Sequence, residues 1–587
     1  MDMARMSSRT GLVLAVVSAA ALCGCAGGGD GFLITGSTAK TSEAPKASLF
    51  GNYLAARHAG RNRDMDAATV FYSRALKQDP DNKEILLRTF LLELSAGNIG
   101  KAASLSRKVI KNQPDNRAAR MVLALQAFGR QDYAKAREWL ESDGPAEVSE
   151  LAAILISAWA WQGEGQTDEA LKTLRQLEDT PAFNYFQSFH TALIADLAGR
   201  DKLAHENYET AYELSGGSLR AVQAFGLFEE RRGRGKAALL LYNDLLQRHN
   251  QNPLIRKAAQ RAKTGGPAPA AMITSASEGA AEALYGIASQ LSKGSGADLA
   301  RIYLQLALYI RPEFSLGQLL LADIYENHKN IRKALGAYDR VGADSPLRME
   351  ADILAAISLD RLGKTDEAVA RLKEVIESYP GKLRPVIALG NLLRGRQKYS
   401  KAEPYYSQAI GMIGTPAKEH WRLFYSRGVC FERMGQWPNA ETDLKQALKL
   451  NPNQPLALNY LGYSWIERRR HLDKAMTMIR KAVHLRPNDG FIIDSLGWAH
   501  FQLGQWKEAV KNIERAVELQ PDDAVINDHL GDAYWRAGRH LEARFQWSHA
   551  KEMKPDAKVL ARIEHKLQHG LEAFKPDPVA VNARNGD

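Results

Sequence analysis

The chain of 587 residues carries 78 lysines and arginines against 67 aspartates and glutamates, a formal net charge of +11, and only three cysteines. That length supplies an ample apolar core, and Cys430 is the sole cysteine after residue 25, so a disulfide-built fold is excluded. The positive excess is scattered, its longest run being Arg468-Arg469-Arg470; this reads as a solvated surface, the alternative being attraction to acidic cell-envelope polymers or an acidic partner, and no nucleic-acid partner is expected.

The first segment has a targeting pattern. Arg5 and Arg9 precede GLVLAVVSAAAL, residues 11–22. A bilayer-spanning helix needs roughly 20 apolar residues, so this shorter run is a signal core rather than an anchor. Leu22-Cys23-Gly24-Cys25 follows and resembles the bacterial lipobox, in which an aliphatic, a variable and a small residue precede an acylated cysteine. Cys25 fits that pattern, whereas Cys23 would follow bulky Leu22. Residues 1–24 are therefore expected to leave as a lipoprotein signal peptide, with Cys25 lipidated and holding the chain to the membrane. Ala26 stands where inner-membrane lipoproteins often carry aspartate, which favours the periplasmic face of the outer membrane. Residues 25–47, rich in Gly, Ser, Thr and Ala, read as a flexible tether.

From residue 48 a period governs the chain. Leu496-Gly497, Gly504, Ala509, Ala516 and Pro521 recur 34 positions later as Leu530-Gly531, Gly538, Ala543, Ala550 and Pro555. Small residues at such sites let two antiparallel helices approach, the glycine turns the chain between them, and the proline ends the pair. The alanine ladder runs Ala68, Ala102, Ala136, Ala170, Ala204, Ala238, Ala300, Ala334, Ala368, Ala402, Ala440, Ala475, Ala509 and Ala543, in steps of 34 except for 62 after Ala238, 38 after Ala402 and 35 after Ala440. The pattern resembles the tetratricopeptide repeat, or TPR. The resemblance implies an all-α, right-handed superhelical solenoid of about fourteen TPR-like helical hairpins. Residues 48–261 form an amino-terminal degenerate block and 280–556 a carboxy-terminal block, separated by an irregular small-residue loop at 262–279. That loop reads as a tolerated insertion or as a hinge or partner-ordered segment. Residues 557–574 are expected to cap the last repeat, and 575–587 to form a disordered tail.

Catalytic motifs do not emerge. Gly363-Lys364-Thr365 lacks the upstream glycine of a phosphate-binding loop, Ser358 standing in its place, and falls on an inter-helix turn. Gly294-Ser295-Gly296 sits on another such turn. His190, His205, His540 and His549 are dispersed, and Cys430 occupies a position for a small buried residue. No enzyme activity, cofactor or metal is expected.

The first helix of each pair lines the inner wall of such a spiral. In the last three full repeats the positions expected to face the groove are Asn459, Asp494 and Asp528; Tyr463, Trp498 and Asp532; Ile466, Phe501 and Trp535; and Glu467, Gln502 and Arg536. Asn459, Tyr463, Asp494, Trp498, Phe501, Asp528, Asp532, Trp535 and Arg536 make up the candidate partner-binding ledge, because Trp, Tyr and Arg carry much of the energy at protein interfaces. Phe501 and Trp535 have a second reading, as packing against the neighbouring first helix. Trp437 and Trp506 open second helices and are expected in the core or on the outer face. The plan of signal, lipobox, tether and terminal LGYSWIE, LGWAHFQLGQW and LGDAYWRAGR series is similar to the LbcA-type lipoproteins, which partner a carboxyl-terminal processing protease. That resemblance implies a protein-binding adaptor delivering cell-wall hydrolases to a periplasmic protease. The alternative is an assembly scaffold for an outer-membrane secretion, pilus or polysaccharide-export complex.

Overall fold

All fourteen ladder alanines are buried, none more than 1% exposed, and each sits on the second helix of a hairpin. This is the packing reason for the period. The computed structural model describes residues 48–571 apart from 63, 142–147, 179, 249–251 and 295, so the signal, Cys25, the tether and the tail 575–587 lie outside the described residues. The described residues form thirty α-helices and two short 3-10 turns, with no strand. Fourteen hairpins follow one another in a right-handed solenoid, spanning 49–78, 83–112, 117–140, 148–175, 184–214, 219–248, 276–310, 315–339, 348–378, 383–412, 421–450, 455–485, 490–519 and 524–552. Two helices stand alone, Pro253–Thr264 and the cap Ala557–His569.

Local chemistry sets the boundaries. After Pro521 closes one pair, Asp523 caps the next helix, its carboxylate accepting from the Val525 and Ile526 N–H groups at 2.9 and 3.1 Å, as N-cap side chains do. Gly504 turns the thirteenth hairpin at φ 74°, a left-handed conformation that glycine adopts without a Cβ penalty. The extra residue behind the step of 35 lies in the arginine turn, where Arg469 and His471 both take positive φ, 52° and 48°. Close approach elsewhere fits the repeat logic. A Cβ on Gly497 would stand 2.4 Å from Ile513, and one on Gly531 2.4 Å from the Trp547 ring.

The region expected as a loop at 262–279 is irregular over its middle and helical at its two ends. Pro253–Thr264 covers its start and Ala276–Leu291 its end, leaving 265–275 irregular. The reason is a cap: Ser275 Oγ accepts from the Glu278 N–H at 3.2 Å, and the Glu278 carboxylate accepts from the Thr274 N–H at 2.6 Å. Alanines beyond that cap extend a helix well.

The two expected blocks, 48–261 and 280–556, pack against each other across this loop. The seventh hairpin packs back onto hairpins two to six. Its first helix packs on Val148–Gly163 and Asn184–Leu197, and its second on 83–95, 99–112 and 117–128. A Cβ on Gly279 would meet the Trp159 ring at 2.2 Å. Trp159 is fully buried and its Nε1 donates to His190 Nδ1 at 3.0 Å. Arg220 grips Glu282 with its Nε at 2.7 Å, and Arg301 donates to Ser95 Oγ at 3.2 Å. In consequence one apolar core runs from Leu86 to Ala355. Beyond it the core breaks into successive clusters, each joining neighbouring hairpins.

Candidate protein-interaction surface

The first helices of hairpins twelve to fourteen are more buried than an open groove allows, with ten of thirteen residues buried in each. Their polar side chains bridge one repeat to the next. Asn459 Nδ2 donates to Ser495 Oγ at 3.1 Å. His529 Nδ1 lies 3.0 Å from both carboxylate oxygens of Asp494. Asp528 receives Lys566 Nζ at 2.8 Å and Arg562 Nη2 at 3.4 Å, and Asp532 receives Lys566 Nζ at 2.7 Å and Trp547 Nε1 at 2.9 Å. Asn459, Asp494, Asp528 and Asp532 are each at most 4% exposed. They form a polar seam between stacked helices rather than a free ledge, because the following first helix, or the cap, covers them.

The aromatic positions divide differently. Tyr463 and Trp498 are buried and share a cluster with half-buried Phe501. Trp498 stacks on Phe501 at 4.6 Å and on His529 at 4.1 Å, and donates its indole N–H to Glu467. Half-buried Trp535 stacks on His540 at 4.3 Å, and a Cβ on Gly570 would meet its ring at 2.4 Å, so the cap leans on it. Arg536 is exposed. Of the nine expected ledge residues, then, Phe501, Trp535 and Arg536 reach solvent, while the other six hold the repeats in register. Trp437 and Trp506 are half-buried at the starts of their second helices; the Arg468 guanidinium lies 4.2 Å above the Trp437 ring, and Trp506 meets Phe501 edge-on at 5.2 Å.

Burial governs the electrostatics of this seam. It raises Glu467 above the ordinary carboxylate range despite the Trp498 hydrogen bond, and raises Asp532 against the pull of Lys566. For His529 burial alone favours the neutral ring, but the carboxylates of Asp494, Asp528 and Asp532 outweigh it and hold the imidazole above its usual value. Four carboxylates thus meet Lys566, Arg562 and His529 in one buried network, which fixes the cap and the last three first helices as a unit. Sequence reasoning missed Lys566 and His529. A usable signal existed for the histidine, since it stands 34 positions after Ser495 and one place beyond the expected groove position.

Elsewhere, Cys430 is fully buried, and burial pushes its thiol up to about 12. His190 is buried among aromatics and lowered to about 3. Gly363 turns between Arg348–Arg361 and Thr365–Ser378. Among the described residues no group of three or more His, Cys, Asp or Glu side chains is arranged to hold a metal, and no helix is long and apolar enough to cross a membrane.

Family models described as tetratricopeptide repeat match residues 87–143, 350–382 and 421–454, and one described as TPR repeat matches 497–538. These four stretches carry tetratricopeptide repeats. The TPR repeat-containing protein PA4667 of Pseudomonas aeruginosa is 24% identical over 197 residues, 33% of this chain and 32% of that one. The BBSome complex member BBS4 homolog of Drosophila melanogaster is 26% identical over 183 residues, 31% of this chain and 36% of that one. The TPR chain thus spans about a third of the length of these curated relatives. Among solved structures, the APC/C hetero-tetramer Cut9–Hcn1 aligns over 89% of this chain and 96% of that one, at 14% identity and a TM-score of 0.37. A TPR array of this kind is a scaffold suited to protein–protein interaction.

Proposed function

We propose that the chain is a non-catalytic, lipid-anchored TPR scaffold on the periplasmic face of the bacterial outer membrane, where it binds proteins and presents cell-wall hydrolases to a processing protease. The observation that carries the protein-binding reading is the array of fourteen hairpins, locked by buried alanines and, at its end, a polar seam into a preformed surface. Preformed surfaces lose little conformational entropy on binding. Anchoring rests on the Leu22-Cys23-Gly24-Cys25 pattern, and the adaptor role on the resemblance of the whole plan. Phe501, Trp535 and Arg536 supply the exposed edge of the C-terminal groove.

The test is affinity isolation of the tagged full chain from gently crosslinked envelopes, with partners identified by mass spectrometry, beside an Arg536→Glu variant and a Cys25→Ser variant. Recovery of a processing protease with cell-wall hydrolases is expected, with the hydrolases reduced in Arg536→Glu and membrane association lost in Cys25→Ser. Recovery of secretin, pilus or export-pore subunits instead would replace the adaptor by an assembly scaffold. Lipid labelling that survives in Cys25→Ser would overturn the anchor.

A further inference from the structure

Where the seventh and eighth hairpins meet the turn of the second, the chain leaves a cleft. It encloses about 800 Å³ between residues 96–99 on one side and 305–340 on the other. Ile99, Leu308 and Leu321 supply apolar wall. Gln318 lies in the lining at 3% exposure; its Nε2 donates to the Pro312 carbonyl at 3.3 Å, while its Oε1 is buried with no hydrogen-bond partner.

The charges in the cleft are one-sided. Lys333 is engaged by Asp66, and Glu313 by Arg311 at 3.4 Å. Arg332 and Arg340 also line the cleft, are exposed, and have no acidic partner among the described residues. They stand eight positions apart on and at the end of the helix Ile331–Asp339. Eight residues of helix rise about 12 Å, close to the span of about 13 Å covered by four residues of extended chain. Side chains four apart on an extended strand point the same way.

We propose that this cleft binds an extended acidic segment of a partner polypeptide, with two carboxylates four residues apart on Arg332 and Arg340 and an apolar residue between them. The site is separate from the C-terminal groove and spans the contact between the second hairpin and the seventh and eighth. A bound segment therefore bridges the closed N-terminal turn to the array that follows. The proposal rests on the protein-binding reading of the chain.

The probe is a fluorescein-labelled peptide, Ser-Glu-Ala-Leu-Ala-Glu-Ser with both ends blocked, titrated against the full chain by fluorescence anisotropy. A lysine-for-glutamate peptide and one with the glutamates three apart serve as controls. Saturable binding of the first peptide is expected, weakened at least tenfold by Arg332→Glu with Arg340→Glu, and reduced for the three-apart spacing. The arginines are exposed, so an unchanged melting temperature in the double variant verifies folding. Equal binding of the lysine peptide, indifference to the charge reversal, or no saturable binding to the native chain overturns the cleft assignment. If envelope partners are still recovered in that event, the scaffold reading stands and only the cleft is lost.

Discussion

Residues 86–355 and 353–571 are built from the same helical pair, yet they are held together differently. In the first region the seventh hairpin packs on repeats distant in sequence, as in Arg301 to Ser95, and the eighth reaches the first through Lys333 and Asp66, so one core spans eight hairpins. In the second, each core cluster reaches only its neighbours. A solenoid with nearest-neighbour contacts is close to one-dimensional and opens piecemeal. Folding one hairpin back converts part of it into a cooperative body. It also means that part of the surface of hairpins two to six is covered by the chain itself.

The largest expected effect tests that closure. Trp159→Ala removes a fully buried indole wedged against Gly279 and hydrogen-bonded to His190, and should cost about 3–5 kcal/mol. Hydrogen exchange should show lost protection across 86–355, including the seventh hairpin. Loss confined to 148–214 would break the comparison, because it would make the first region as piecemeal as the second.

Lys566→Met probes the opposite end. It leaves Asp532 buried without its cation and Asp528 with Arg562 alone at 3.4 Å, and removing one partner of a buried pair costs about 3–5 kcal/mol. Here the damage should stay within 524–571, read as early proteolysis or exchange of the cap and last hairpin while 86–355 keeps its protection. A substitution at the ladder ranks next. Ala509→Leu overpacks the closest helix approach of one hairpin and should cost about 1–3 kcal/mol, measured by denaturant melting, with exchange rising only in the flanking hairpins. The same change at Ala136, inside the closed region, should spread further along the chain.

How far these features were legible in the sequence follows from the range of the forces involved. The alanine ladder could be read because each alanine answers to a neighbour within its own repeat, and every one of the fourteen is buried. The seam residues were placed on the right helices but assigned to the wrong environment. Periodicity tells which side chains share a face, and it is silent on whether the next helix covers that face. Asp528 and Asp532 look like groove acids until Lys566, in the cap, is brought onto them. Closure of the first spiral was not legible, since the fit of Trp159 to Gly279 joins residues far apart in sequence and leaves no local trace. The start of the seventh hairpin was legible and missed: Ser275 followed three places later by Glu278 is a helix-start signature.

The subtlest difference between the two regions is electrostatic, and His529 exposes it. The first region buries His190 among aromatics with its pKa lowered to about 3, so it stays neutral in ordinary buffers. In the second, His529 is sandwiched by Trp498 and faces Asp494 at 3.0 Å, with Asp528, Asp532, Glu467 and Lys566 in the surrounding network. Its folded pKa is raised above the ordinary value, near 6.5 in an unfolded chain. The charged ring therefore stabilises the fold fully below about pH 6.5, and that contribution disappears as pH rises through the folded pKa. Against His529→Gln, the native chain should be more stable by about 1 kcal/mol, the net worth of one hydrogen bond, at pH 5.5, with the gap narrowing toward pH 9. The corresponding His190→Gln difference should be flat across that range. A gap at His529 that is constant or widens with pH would mean the imidazole is neutral, and the seam would then be held by Lys566 and Arg562 alone.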